Sequence, residues 1–143
     1  METLLVEHNA VSLRSAFVLD DGDLVHLLVL PRWLDSSVPR SGDYGRSDLT
    51  CVYRRKRPLL AEIGLLRGSP PIQRCIKPMK FDKPPELKLL WADSGHSAAL
   101  ILNGEPWAFI HEQKNHGFSK GVLRPSLGNS WDQDLFDKTF NAG

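Results

Sequence analysis

Asn103-Gly104 is the residue pair that most restricts this chain. It lies between two apolar runs, Ala98–Leu102 and Trp107–His111. Asn-Gly takes the positive φ angles that a type I′ turn demands, and that turn has the twist needed to fold two strands back on each other. Upstream, Leu87–Trp91 alternates, with Leu87, Leu89 and Trp91 on one side, and Asp93-Ser94-Gly95-His96 supplies a second turn. Strand, turn, strand, turn, strand is a meander, and Leu87–His111 is expected to be the stable core of the fold. A short strand over Phe118–Leu123 follows, then loop over Pro125–Asn129.

The end of the chain changes period. Trp131 with Leu135, and Phe136 with Phe140, are spaced as neighbours on one helix face. Ser130 and Gln133 fit a capping box, with Ser130 as the N-cap. Asp132 and Asp134 suit the positive end of the helix dipole and Lys138 the negative end. One short amphipathic helix is therefore predicted to close the chain.

The N-terminal half reads as more strands. Leu4–Glu7 is a short one. Ser15–Leu19 and Leu24–Leu30 flank Asp20-Asp21-Gly22-Asp23, whose Asp-Gly favours another type I′ hairpin. In the second of these strands Val25, Leu27 and Val29 share one face, and Leu24, His26, Leu28 and Leu30 the other. Both faces are apolar, which places the strand in the middle of a sheet. Leu49–Tyr53 is a further strand. Pro58–Leu66 fits a short helix and a strand equally well. Ile72–Lys77 is a short edge strand ended by Pro78, because proline cannot donate to a ladder. Gly68-Ser69-Pro70-Pro71 and Asp82-Lys83-Pro84-Pro85 are breaks. The 143 residues fit one domain, 1–143, of α+β class. It is mainly antiparallel sheet, an open sandwich of hairpins and a C-terminal meander, with one short C-terminal helix. Asp20-Asp21-Gly22 and Asp93-Ser94-Gly95 look alike, but turn chemistry alone accounts for the likeness.

Composition removes several functions. Formal net charge is +1, so no global field draws the chain to nucleic acid or an anionic membrane. The longest apolar run falls far short of the ~20 residues that span a bilayer. The first eight residues, interrupted by Glu2 and Glu7, have no basic n-region, so a cytoplasmic location is expected. Cys51 and Cys75 are expected to be reduced thiols. They form no Cys-x-x-Cys pair and no Cys/His group at zinc spacing.

Trp91-Ala92-Asp93-Ser94-Gly95, Ala98–Gly104, Trp107-Ala108-Phe109 and Gly117-Phe118 together resemble a family of small bacterial proteins of uncharacterised function. That family carries a Trp-x-Asp-x-Gly turn, an apolar Leu-Ile strand, a short turn and a Gly-aromatic pair. The resemblance covers residues 87–140 and implies a bacterial source and a compact β-rich fold. It implies no catalytic residues. The chain has His111 where the family often has an acid, and Gly117-Phe118-Ser119-Lys120 in place of its Gly-Tyr-Cys-Arg.

The reactive-looking residues carry no established motif. His111 and His116 stand five apart, whereas a zincin helix needs four. His26 lies on an apolar strand face, where a structural histidine outweighs a catalytic base. Ser94-Gly95-His96-Ser97 lacks the glycine frame of a nucleophile elbow. Nothing in the sequence links Cys51 or Cys75 to a histidine as a thiol nucleophile would require. Arg54-Arg55-Lys56-Arg57 is the one dense basic run, and alternation on a strand would split it between two faces. No catalytic residue, metal or cofactor is assigned.

What remains is Pro31–Asp48, a long loop rich in Ser, Gly, Pro and Asp. It contains Arg32, Trp33, Arg40, Tyr44 and Arg46, and aromatic and arginine residues are the types most enriched at interface hot spots. The expectation is a non-enzymatic bacterial protein-binding module, of inhibitor or immunity type, whose partner is another protein. Arg32, Trp33, Tyr44 and Arg46 would carry the contact. The alternatives are a small enzyme centred on His26, His96 or His111, and a nucleic-acid binder using residues 54–57. The oligomeric state is not legible from the sequence.

Overall fold

A computed structural model describes residues 2–30, 48–55, 75–112, 117–125 and 128–140. The strands are β1 (Glu2–His8), β2 (Ser15–Asp20), β3 (Leu24–Leu30), β4 (Asp48–Arg55), β5 (Pro78–Met79), β6 (Leu87–Trp91), β7 (Ala98–Leu102), β8 (Glu105–Ile110), β9 (Phe118–Ser119) and β10 (Asn129–Ser130). A single helix among the described residues, α1 (Gln133–Phe140), follows them. The strands form two five-stranded sheets, in the orders β1-β2-β3-β4-β5 and β10-β9-β8-β7-β6. Each sheet is antiparallel except for its last pair, β4 with β5 and β9 with β10, which is parallel. Mostly strand with one short C-terminal helix, this is the α+β class expected.

The core lies between the sheets. Ala16, Val18, Val25, Leu27 and Val29 from the first meet Ala98, Leu100, Ala108 and Ile110 from the second, all fully buried. Of the two apolar faces of β3, Val25, Leu27 and Val29 turn inward, and β3 is central in its sheet as expected. On the outer face of the second sheet, Phe109 packs against Phe118, Trp131, Phe136 and Phe140, with ring centroids 5.0–6.0 Å apart. This aromatic cluster is what holds the two-turn helix, since a helix so short has little stability of its own.

Local turn chemistry was met in one hairpin and replaced in another. Asn103 and Gly104 have φ of 50° and 81°, the type I′ pattern. At Asp20–Asp23 the only positive φ is that of Gly22, 99°, so a type I′ turn does not form. Instead the Asp21 carboxylate accepts from the amides of Asp23 and Leu24, doing the work of a backbone carbonyl. The two turns that looked alike are not equivalent in the fold, because Asp20–Asp23 joins β2 to β3 whereas Asp93–Gly95 joins β6 to β7.

The helix cap is also corrected. Asp132, not Ser130, is the N-cap: its carboxylate accepts from the Leu135 amide at 3.0 Å and its carbonyl from the Phe136 amide. Ser130 is held in β10, paired with Ser119, and cannot turn into the helix. Gln133 links the Trp131 indole to Asp137 instead. Pro78 does not end a strand but opens β5, opposite Arg54. The strand expected over Phe118–Leu123 is only Phe118–Ser119, with Val122 bridging separately to Ile76.

The sheets are joined along one side. Val25 pairs with Tyr53 and His26 with Cys51, so the register skips Val52 and β4 bulges there. The Val52 carbonyl accepts from the Trp107 indole N–H at 2.8 Å and the Ser119 hydroxyl at 3.3 Å. Gly121 passes so close that a Cβ on it would lie 1.8 Å from the same oxygen. Beyond it, the Lys77 amide donates to the Gly121 carbonyl and the Leu123 amide to the Cys75 carbonyl, both at 2.7 Å.

Gly121→Ala must therefore push two sheets apart. It should cost about 3 kcal/mol, the upper end of ordinary overpacking. Gly22 has open space around it, and Gly22→Ala should cost only about 1 kcal/mol, from backbone strain alone. Urea melts of the two variants compare them directly. Equal losses would show that the Val52 contact is not the tight joint described.

Candidate functional site

The sandwich has two functional-looking ends, and the strands between them are seven or eight residues long in β1, β3 and β4. At one end Arg14, only 8% exposed, gathers three acceptors. Its Nε donates to the Leu30 carbonyl at 3.1 Å, Nη1 to the His96 carbonyl at 3.0 Å and Nη2 to the Asp48 carboxylate at 3.2 Å. A buried guanidinium is costly unless its planar fork is matched, and here each nitrogen has a fixed oxygen. The acceptors come from the end of β3, the β6–β7 turn and the start of β4. Around this hub, His8 Nδ1 meets the Ser15 hydroxyl at 2.5 Å, and the Asn9 side chain accepts from the Val11 and Ser12 amides.

Leu30 and Asp48 flank the long segment singled out above. Arg32, Trp33, Tyr44 and Arg46 lie outside the described residues, as does Arg40. Asp48 itself belongs to β4 rather than to the loop. One side chain thus holds both Leu30 and Asp48, which border residues 31–47.

His26 is paired with Asp21 at 3.2 Å, and its Nδ1 is buried with no partner among the described residues. Burial pushes the Asp21 carboxyl up, but the Leu24 amide and the His26 ring together hold it below its ordinary value. Cys51 stands opposite His26 in the β3–β4 register. Burial, reinforced by the Asp21 charge, pushes its thiol up to about 12. A thiol so raised is neutral at physiological pH and is no nucleophile.

Ser94 and Ser97 are engaged in the β6–β7 hairpin, accepting from the amides of His96 and Glu112. This is a strand-to-strand turn, not the strand-to-helix turn of a nucleophile elbow. His116 lies outside the described residues, and no group of three or more potential metal ligands occurs among those described. Of the basic run, Arg54 is half-buried and Arg55 exposed, with Arg55 bonded to the buried Asp20 carboxylate. That bond raises the Arg55 guanidinium above its ordinary value. Lys56 and Arg57 are outside the described residues.

At the opposite end, a cleft of about 430 Å³ opens beside β4 and β5. Tyr53, Phe81, Met79 and Leu4 form its apolar part, and Tyr53 meets Phe81 edge to face at 5.3 Å. Arg55, Lys80 and Lys83 stand at it together with Glu2 and Asp82, and no histidine lines it. Sequence reasoning missed both Arg14 and this cleft. The chain matches no family model, no curated protein and no solved structure. No helix among the described residues is long and apolar enough to cross a membrane.

Two measurements check this geometry. Arg14→Met removes the guanidinium from the buried Asp48 carboxylate and should cost about 3 kcal/mol in denaturant melts at unchanged slope. Arg14→Lys, which keeps the charge but not the fork, should recover only part of the loss. In thiol titration at mildly alkaline pH, half-buried Cys75 should react in the native protein and Cys51 only on unfolding. Fast native reaction of both would mean that Cys51 is not sealed in the sheet.

Proposed function

We propose that this chain is a protein-binding module of a bacterial cytoplasm, an inhibitor or immunity-type protein, whose contact surface is the segment 31–48. The observation that supports this reading is the double anchor at Arg14. A recognition loop needs its ends held on a rigid scaffold so that its side chains meet a partner at low entropic cost. Arg14 bonds both Leu30, just before the segment, and Asp48, its last residue. Arg32, Trp33, Tyr44 and Arg46 supply the contact chemistry, large apolar area joined to directional donors. Nucleic-acid binding is less well supported, since Arg55 is committed to Asp20 and the cleft it lines also carries Glu2 and Asp82.

The test begins with tagged wild-type protein in its source cell, from which the bound protein is identified, purified and titrated. Trp33→Ala and Arg46→Ala should each leave the melting temperature nearly unchanged. Each should weaken the purified complex by at least about tenfold, as hot-spot truncations do. If Trp33→Ala unfolds the domain while Arg46→Ala alters no affinity, the segment is scaffolding and the assignment fails.

A further inference from the structure

Four strands end the two sheets. β5 and β10 have two residues each, too few to pair with another chain. β1 has seven, but its register with β2 breaks between Thr3 and Leu5, and it carries Glu2, Glu7 and His8. A bulge and charges are the usual protection of an exposed edge. β6 has no bulge, and its one charged residue, Lys88, is paired with Glu86. Its register with β7 is unbroken from Leu87 opposite Leu102 to Trp91 opposite Ala98, and Leu90 is 43% exposed.

The direction of its main chain can be read from the ladder. Asn103 donates to the Glu86 carbonyl and Ala92 to the Ser97 carbonyl, at the two ends of the same hairpin. Narrow pairs alternate along an antiparallel ladder, so Lys88 and Leu90 also bond to β7. Leu87, Leu89 and Trp91 therefore turn their N–H and C=O groups to the open edge, where no backbone partner meets them among the described residues.

We infer that this edge is a homotypic docking site, at which β6 of a second copy adds antiparallel about a two-fold axis through Leu89. The register is fixed by which groups face outward. Centring on Leu89 sets Leu89 against itself and Leu87 against Trp91, so every outward residue finds an outward residue. Centring on Lys88 or Leu90 would pair only two of the three outward residues of β6 with each other. Centring on Leu87 or Trp91 would leave most of the edge unpaired.

The side chains agree with this register. Lys88 falls opposite Leu90 of the second copy, not opposite Lys88, and the exposed leucine lies along the lysine stem. The Lys88 charge is met within its own chain by Glu86 at 3.3 Å. An isologous contact of this kind closes at two copies. It makes one continuous sheet from the two β6-bearing sheets, with the Arg14 ends pointing in opposite directions. The inference does not depend on the partner-binding reading of residues 31–48.

Sedimentation of the full chain across micromolar to millimolar concentrations tests it. Wild type should show a reversible monomer–dimer equilibrium. Leu90→Lys places two lysines opposite each other twice in the dimer and should weaken association at least about tenfold, since like charges directly opposite destabilise a pair. Both side chains are exposed, so thermal melting of the monomer serves as the folding control. The double variant K88E/L90K sets opposite charges across the same two positions and should restore association above that of Leu90→Lys. A wild-type chain monomeric throughout overturns the inference. So does a Leu90→Lys variant that associates like wild type, or a double variant no better than the single one.

Discussion

The Val52 carbonyl oxygen is the point on which the two sheets depend. A β-bulge at Val52 takes its peptide out of the β3–β4 register. A buried carbonyl left without a donor costs on the order of 1–3 kcal/mol, so donors have to be brought to it. They come from the other sheet, as the Trp107 indole and the Ser119 hydroxyl. Both reach it only because the chain from Gly117 to Gly121 lies against β4 with no side chain between. A Cβ at Gly117 would lie 2.7 Å from the Thr50 Cβ, and one at Gly121 would sit inside the Val52 carbonyl. Glycine here provides close approach, not an unusual backbone angle.

That joint decides where the fold is closed and where it is open. On the β4 side, the hydrogen bonds of Lys77 with Gly121 and Leu123 with Cys75 continue the contact and leave little edge exposed. On the other side β1 and β6 come near each other without a ladder between them, and Leu4, Leu5, Leu87, Leu89 and Trp91 fill the space with half-buried apolar groups. Arg14 works across the sandwich at one end of this open side. It is a cation held by the first sheet and by the β6–β7 turn of the second, so it ties the sheets where the Val52 joint does not reach.

The sequence was legible where structure is set by neighbours in the chain. Asn103-Gly104 turned as its φ preferences dictate, and the alternation of Leu87, Leu89 and Trp91 put all three inward. It was less legible where a distant partner competes. Ser130 is a sound N-cap by local rules, yet pairing with Ser119 claims it and the cap moves to Asp132. Asp20 does serve the turn, accepting from the Gly22 amide, but its other oxygen is held by Arg55, thirty-five positions away, which no local rule shows. Arg14 carried no signal at all. It is one charge between Leu13 and Ser15, and its acceptors lie 16, 34 and 82 residues along the chain. The candidate contact residues Arg32, Trp33, Tyr44 and Arg46 were chosen on residue type, and their placement lies outside the described structure.

The polar groups that a motif search would mark as reactive are here consumed in construction. The Ser119 hydroxyl donates to Val52 and accepts from Gly121, and the Ser97 hydroxyl, fully buried, accepts from Glu112. The Cys51 thiol donates weakly to the Val25 carbonyl at 3.6 Å and is held protonated by burial. His26 is held by Asp21, whose other carboxylate oxygen closes the β2–β3 turn. A general base or nucleophile has to reach a substrate and change its protonation there, and groups sealed in a ladder or a turn cannot do so without opening it. Among the described residues, the features open to another molecule include the β6 edge with Leu90 and the Tyr53–Phe81 cleft, where apolar and charged side chains meet. Strand addition at an edge and pockets for side chains are the means by which a β-rich protein can hold another chain.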